Sequence, residues 1–299
     1  MLAVLLASVL WGTTGTVAHQ APVGSEQLLV GLATFGFGGL VLFALDARPA
    51  LVVVRDRAST ALLLAGALGV VMYAAMYYVA MDLVGVAVGN VLALGSGPVF
   101  AVLLELVIER RRVRAGWVVA TAVTVAGVAC LAAAAGGAPG TSPLLGVVLA
   151  LGAGLGYALY SWSGARLIGR GHPSRSVMAA IFAVASLGLL PAFVVGGPGP
   201  LFSQQGLVVL GYLAVVPMAF AYLAFGYGLR RLRASTATTL ALAEPVVATG
   251  LAVVVLGERL GVTSWVGIAL IVVGLVLVAV AERRPTAGPS NGGQALVHN

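Results

Sequence analysis

Residues 95–127 read GSGPVFAVLLELVIERRRVRAGWVVATAVTVAG, and residues 243–274 read AEPVVATGLAVVVLGERLGVTSWVGIALIVVG. The second stretch repeats the first. Pro98 answers Pro245, Glu109-Arg110 answers Glu258-Arg259, Trp117 answers Trp265 and Gly127 answers Gly274, with a two-residue slip between the proline and the acid. Upstream, residues 78–83 (YVAMDL) answer residues 227–232 (YGLRRL). Each copy holds two apolar stretches around a short charged turn. About 20 apolar residues are needed to cross a hydrocarbon core of about 30 Å, and each stretch is of that order.

Composition agrees with a chain that lives in lipid. Of 299 residues, 61% are apolar or aromatic and 8% are charged, where a soluble chain would be about a quarter charged. The mean hydropathy is +1.09. Soluble enzymes are excluded first, since nothing here could hydrate their surface. The 41 glycines lie inside apolar runs without a three-residue period, which excludes collagen-like and disordered chains.

Ten stretches qualify as spans: 2–18, 27–45, 59–80, 84–108, 115–135, 143–162, 176–195, 207–229, 235–256 and 262–281. The first lacks the basic flank of a secretory signal and reads as a helix. All 16 basic residues are arginines, and positive charge is retained on the cytoplasmic side of a membrane. Arg48, Arg55 and Arg57, then Arg110, Arg111, Arg112 and Arg114, then Arg166, Arg170 and Arg175, then Arg230, Arg231 and Arg233, then Arg283 and Arg284 fall on one side. Only Arg259 falls on the other. Ten spans with both termini cytoplasmic, in a plasma (inner) membrane, satisfy this alternation. The net charge of +7 is therefore a topology signal, and no nucleic-acid partner is expected.

The expected fold is an all-α polytopic membrane protein with ten transmembrane helices in two inverted five-helix repeats. The first repeat covers 1–135 and the second 143–281, with 282–299 a disordered cytoplasmic tail. Five spans per copy, an odd number, force the second copy to enter the membrane upside down. Secondary transporters share this architecture, with the site near the midplane between the halves.

The ordered motifs carry a family resemblance. They are Trp11-Gly12 in the first span, Tyr-x-x-x-x-Leu at 78–83 and 227–232, Glu244-Pro245, Gly257-Glu258-Arg259-Leu260 and a tenth span opening on Trp265. On these, the chain resembles the EamA family of the drug/metabolite transporter superfamily, up to about Ala281. The resemblance implies a small-molecule permease, commonly an exporter of amino acids or other metabolites. The first half departs from the pattern with Gly97 where the second half has Glu244.

Glu105 and Glu244 are the two carboxylates well within apolar stretches, and a charge at a helix centre costs at least about 2.5 kcal/mol. Glu244 lies about nine residues into its helix from the arginine-flanked end, roughly 13 Å deep at ~1.5 Å per residue. No Arg or Lys lies inside a span to pair with it. It either meets substrate or proton, or it braces the kink expected at Pro245, where a backbone donor is lost. Pro98 is the matching kink candidate. Glu105 is expected to snorkel to the nearby charged turn.

The candidate cavity residues are Trp11, Tyr73, Tyr77, Asn90, Tyr157, Tyr160, Tyr222 and Glu244. Tyr78, Trp162 and Tyr227, nearer span ends, are expected in interfacial belts. Gly85-x-x-x-Gly89 and Gly152-x-x-x-Gly156 read as close helix contacts.

Cys130 is alone, and His19, His172 and His298 fall outside span cores, so no metal or cofactor is expected. Ser96 or Ser163 could serve an intramembrane protease only with a base, and no span holds a His, a Lys or a pair of aspartates. The partners expected are a small-molecule substrate and the lipid bilayer, with the chain a monomer or a homodimer. The function expected is alternating-access transport of a small metabolite such as an amino acid or amine, either proton-coupled or as facilitated uniport. The alternative is a channel-like uniporter in which Glu244-Pro245 is structural.

Overall fold

A computed structural model describes residues 1–111, 113–135, 142–197, 199–256 and 260–283. Arg112, Gly257, Glu258, Arg259 and residues 284–299, with Arg284 and His298 among them, lie outside the described residues. In a hydrocarbon core every backbone amide must be satisfied within the chain, and the described residues answer with helices alone. Among them, nine helices are long and apolar enough to cross a membrane, and a shorter apolar helix, Leu2–Ala18, stands at the N-terminus. The fold is all-α and polytopic. The outer surface is apolar, with Val107, Val195 and Val254 exposed to 73%, 87% and 82%, as lipid contact requires.

The first half begins with α1 (Leu2–Gly12) and α2 (Thr14–Ala18), parted at Thr13, whose hydroxyl donates to the Leu10 carbonyl at 2.7 Å. α3 (Gln27–Leu45), α4 (Ala47–Arg55), α5 (Thr60–Val84), α6 (Val86–Glu109) and α7 (Ala115–Ala135) follow. α8 (Pro143–Gly169) and α9 (Ser174–Val195) open the second half. Next come α10 (Gln204–Leu213) and α11 (Ala221–Leu229), joined through a π-helical stretch, Ala214–Phe220. Pro217 sits inside that stretch; without an amide proton it cannot keep α-helical bonding, and the wider turn accommodates it. α12 (Ala234–Ala241), α13 (Glu244–Leu256) and α14 (Val262–Arg283) complete the chain.

Three details differ from the sequence expectations. The arginine-bearing connection after α3 is itself a helix, α4, because Ala50 and Val53 share a face and both are buried. α5 and α8 run past residues 80 and 162, to Val84 and Gly169, because the first left-handed positions are Gly85 (φ 89°) and Gly171 (φ 96°). Gly85 is thus the turn between α5 and α6 rather than a helix-contact residue.

Glycines set the crossings that hold the halves together. A Cβ on Gly69 of α5 would lie 2.6 Å from the Gly156 carbonyl oxygen of α8, and one on Gly156 would lie 2.6 Å from the Gly69 oxygen. At the α7–α14 crossing, a Cβ on Gly127 would meet Gly267 O and Ile271 N, and one on Gly274 would meet Ala120 O and Thr124 N. Exchanging the halves in the register that pairs Gly127 with Gly274 carries the first set onto the second. The partner number rises on α14 as it falls on α7, so these equivalent helices run antiparallel and the halves are mutually inverted. α3 and α9, also equivalent, cross the same way, with Gly36 against Leu190 and Gly39 against Phe182.

At the α4–α5 corner the Asp56 carboxylate meets His172 Nε2 at 3.0 Å and accepts from the Ala58 amide at 3.1 Å. Arg170 Nη1 donates to the Ala58 carbonyl at 2.7 Å, so the α8–α9 turn is tied to this corner. Hydrogen bonding from Ser59, then from His172, holds the Asp56 carboxyl below its ordinary value of 3.8. A lowered carboxyl contributes stability above the unfolded value and loses it as pH falls through the folded one. Asp56→Asn is therefore expected to flatten the acid side of the stability profile. The gap in melting temperature between parent and variant, measured in detergent, should close as pH is taken from about 5 to about 3.

Candidate functional site

α5, α8, the π-helical stretch with α11, and α13 surround a cavity of about 570 Å³. Its lining runs from the exposed His19, Val23 and Gly24 of the connection from α2 to α3, where it meets the outside, to Glu244. The cavity thus opens at the end of the bundle opposite the arginine clusters of α4, α8 and α11. All eight candidate residues from the sequence, Trp11, Tyr73, Tyr77, Asn90, Tyr157, Tyr160, Tyr222 and Glu244, line it.

Helical spacing places these side chains. Tyr73 and Tyr77, four apart on α5, share a face and stack at 5.1 Å, and Tyr157 and Tyr160, three apart on α8, share a face with their rings tilted by 40° at 5.3 Å. The Tyr160 and Tyr222 hydroxyls lie 3.0 Å apart, and Tyr77 donates to Asn90 Oδ1 at 2.9 Å, which fixes the amide on the wall. Trp11 packs edge-on to Tyr222 at 5.1 Å. Gly12 lets α1 close on α13, since a Cβ there would meet Val247 Cβ at 2.7 Å.

Glu244 is the first residue of α13. The span it belongs to is two helices, with α12 ending at Ala241 and Leu242 and Ala243 forming a turn. Pro245 stands in the first turn of α13, where its missing donor costs least. The carboxylate accordingly sits at the positive end of a helix dipole. Among the described residues it has no hydrogen-bond or ion-pair partner. Pro98 behaves differently: α6 continues through it without a break.

Two residues expected at the membrane interface are inside the bundle. Tyr78 lines the cavity and packs on Gly31, and Trp162 is buried with its Nε1 donating to Glu109 Oε1 at 2.9 Å. Both were placed by distance from a span end, and both spans are longer than hydropathy indicates. Tyr227 stays half exposed beneath the Arg230 guanidinium, 5.2 Å from its ring centre. Phe35 and Pro217 also line the cavity and escaped the sequence reading. Phe35 sits in a glycine-rich face of α3 with no polar atom to single it out, and nothing local announces a π-helix.

The arginine-bearing end is closed between the halves. Glu105, only 4% exposed, does not snorkel: it accepts from the Ser235 amide at 3.0 Å and the Ser235 hydroxyl at 2.9 Å, capping the start of α12. The open N-terminus of a helix offers two donors within reach, which competes with hydration at the interface. Glu109 is held by Trp162 and, at 2.7 Å, by Arg111 Nε. Buried Asp46 takes Arg175 Nη2 at 2.6 Å and the Ser176 hydroxyl, and the Thr121 and Thr239 hydroxyls meet at 3.1 Å. A second cavity of about 590 Å³ lies at this end, with Glu105 and Glu109 on its wall, and shares no lining residue with the first.

Comparison with known proteins places this architecture. The model of the EamA-like transporter family matches residues 1–133 and again 144–280. The uncharacterized transporter YwfM of Bacillus subtilis (strain 168) is 32% identical over 283 residues, covering 95% of this chain and 94% of that protein. A probable terminal-alkyne amino-acid exporter of Streptantibioticus cattleyicolor is 30% identical over 302 residues, covering 95% and 98%. A solved crystal structure superposes with a TM-score of 0.80 over 94% of this chain and 96% of that one, at 22% identity, which bears on the fold alone. With the family model matched along both halves and full-length relatives named as transporters, the chain belongs to the EamA-like transporter family and is a multi-pass membrane transporter.

Proposed function

We propose that the chain is a permease of the cell membrane that exports a small amphiphilic metabolite, an amino acid or an amine, by alternating access, with both termini in the cytoplasm. One observation carries the reading: a cavity inside the bundle is open at one end and closed at the other by contacts between two inverted halves. With the arginine clusters on the cytoplasmic side, as the positive-inside tendency favours, the closed end faces the cytoplasm and the conformation is outward-facing. Rocking the halves about the α5–α8 and α7–α14 crossings would open the second cavity to the first and present the tyrosine-lined wall to the other side. The exporter from Streptantibioticus cattleyicolor, named for an amino acid, supports a substrate of that size. A channel-like uniporter is disfavoured by the separation of the two cavities.

Glu244 is the residue through which a proton would couple to transport, because its carboxylate lies in the cavity wall without a protein partner. In proteoliposomes, Glu244→Gln is expected to abolish the acceleration that a pH gradient confers on solute flux, a loss of about tenfold or more. Full activity with unchanged pH dependence would remove the coupling role and leave facilitated uniport.

A further inference from the structure

The cavity is asymmetric where the two repeats should match. The register that pairs Pro98 with Pro245 also pairs Gly97 with Glu244. In the second half that position carries a carboxylate facing the cavity. In the first half it carries no side chain, and the ring of Tyr157 takes the space: a Cβ on Gly97 would lie 2.7 Å from Tyr157 Cδ1. Equivalent positions therefore present a negative pole and an aromatic pole to the same cavity.

The rest of the wall fits one kind of ligand. Among the described residues no arginine or lysine lines the cavity, its one histidine, His19, stands exposed in the connection from α2 to α3, and Glu244 is its one carboxylate. The rings of Tyr73, Tyr77 and Tyr222 line the same cavity, and the π-face of an aromatic ring attracts a cation. Tyr157, 3% exposed, keeps its hydroxyl buried with no protein partner. A buried polar group without a partner is the exception in folded proteins, and with this hydroxyl buried Tyr157 does not turn its polar end to the cavity. A ligand carboxylate placed beside Glu244, by contrast, would be desolvated there with no arginine or lysine on the wall to receive it.

We propose that the cavity selects organic monocations bearing an aromatic or branched apolar tail, with the ammonium group at Glu244 and the tail along Tyr157, in preference to the zwitterionic amino acids of the same skeleton. This rests on the permease reading for its transport consequence and on the cavity wall for its selectivity. Gly97 is then a specificity residue, since the space it vacates is what admits the Tyr157 ring.

The test separates binding from flux. The full chain in detergent is titrated with phenethylammonium, phenylalanine and phenylacetate, with binding read by calorimetry. Proteoliposomes are assayed for counterflow of benzyltrimethylammonium, which cannot leak as a neutral amine, and of phenylalanine. The expected result is phenethylammonium binding at least about tenfold tighter than phenylalanine, no binding of phenylacetate, and loss of that preference in Glu244→Gln. Gly97→Ala, which displaces the Tyr157 ring, is expected to weaken phenethylammonium more than methylammonium. Equal or tighter binding of phenylalanine overturns the selectivity and leaves the permease standing. Cation binding without counterflow of either probe overturns the permease and leaves the selectivity. Absence of both overturns both.

Discussion

Gly156→Leu is expected to leave no monodisperse folded protein on size-exclusion chromatography in detergent. A Cβ at Gly156 would lie 2.6 Å from the Gly69 carbonyl oxygen and 2.8 Å from the Tyr73 amide nitrogen, and both are backbone atoms of α5. Backbone cannot rotate away as a flexible side chain does, so α5 and α8 must separate. Overpacking in a core costs about 1–3 kcal/mol when neighbours can shift, and more when they cannot. Separation also parts Tyr73 and Tyr77 from Tyr157 and Tyr160, so transport falls with stability. Against a total stability of about 5–15 kcal/mol the loss approaches the whole. Gly156→Ala should lower the melting temperature measurably while leaving some folded protein. Gly211→Ala, where an added Cβ meets nothing within 4 Å, should leave it unchanged or raise it. A parent-like elution profile for Gly156→Leu would refute the close crossing.

Glu105→Ala is expected to open the arginine-bearing end. The substitution deletes an acceptor of two hydrogen bonds and strands the Ser235 amide and hydroxyl, both in a buried setting. Each unsatisfied buried donor costs about 1–3 kcal/mol, and that cost falls on the closed state, where water cannot reach. A shift of about 1.4 kcal/mol in the equilibrium between closed and open changes the open population tenfold. The readout is the labelling rate of a cysteine at Thr239, placed in a Cys130→Ser background, with an impermeant maleimide. Thr239 is fully buried behind the Glu105–Ser235 contact. Labelling from the arginine-bearing side should rise about tenfold in Glu105→Ala, and by less in Glu105→Gln, whose amide oxygen can still accept one bond. Unchanged labelling in both variants would mean that Glu105 supports the helix start alone and does not hold the end shut.

Much of the candidate site was legible because helical spacing puts Tyr73 beside Tyr77 and Tyr157 beside Tyr160, and because a carboxylate in an apolar run is costly enough to stand out. Tyr78 and Trp162 were misplaced for a single reason. Hydropathy marks where a helix becomes polar, whereas the chain ends a helix where a residue can turn, at Gly85 and Gly171. Glu105 was misjudged because its partner, Ser235, is 130 residues away. The nearest charges along the chain are a poor guide when a helix start from the other half supplies better donors.

Membrane residence, helical class and the paired stretches around Pro98 and Pro245 follow from sequence alone, since hydropathy, charge placement and repetition are properties of residues in order along the chain. Two things were decided only by the tertiary structure. Which end of the cavity is closed depends on polar contacts between the halves, and these join residues from 53 to 130 positions apart. The difference between its two poles depends on the Tyr157 ring entering the space that Gly97 leaves. Both are matters of what fills the volume beside a residue, and a one-dimensional pattern carries no information about volume.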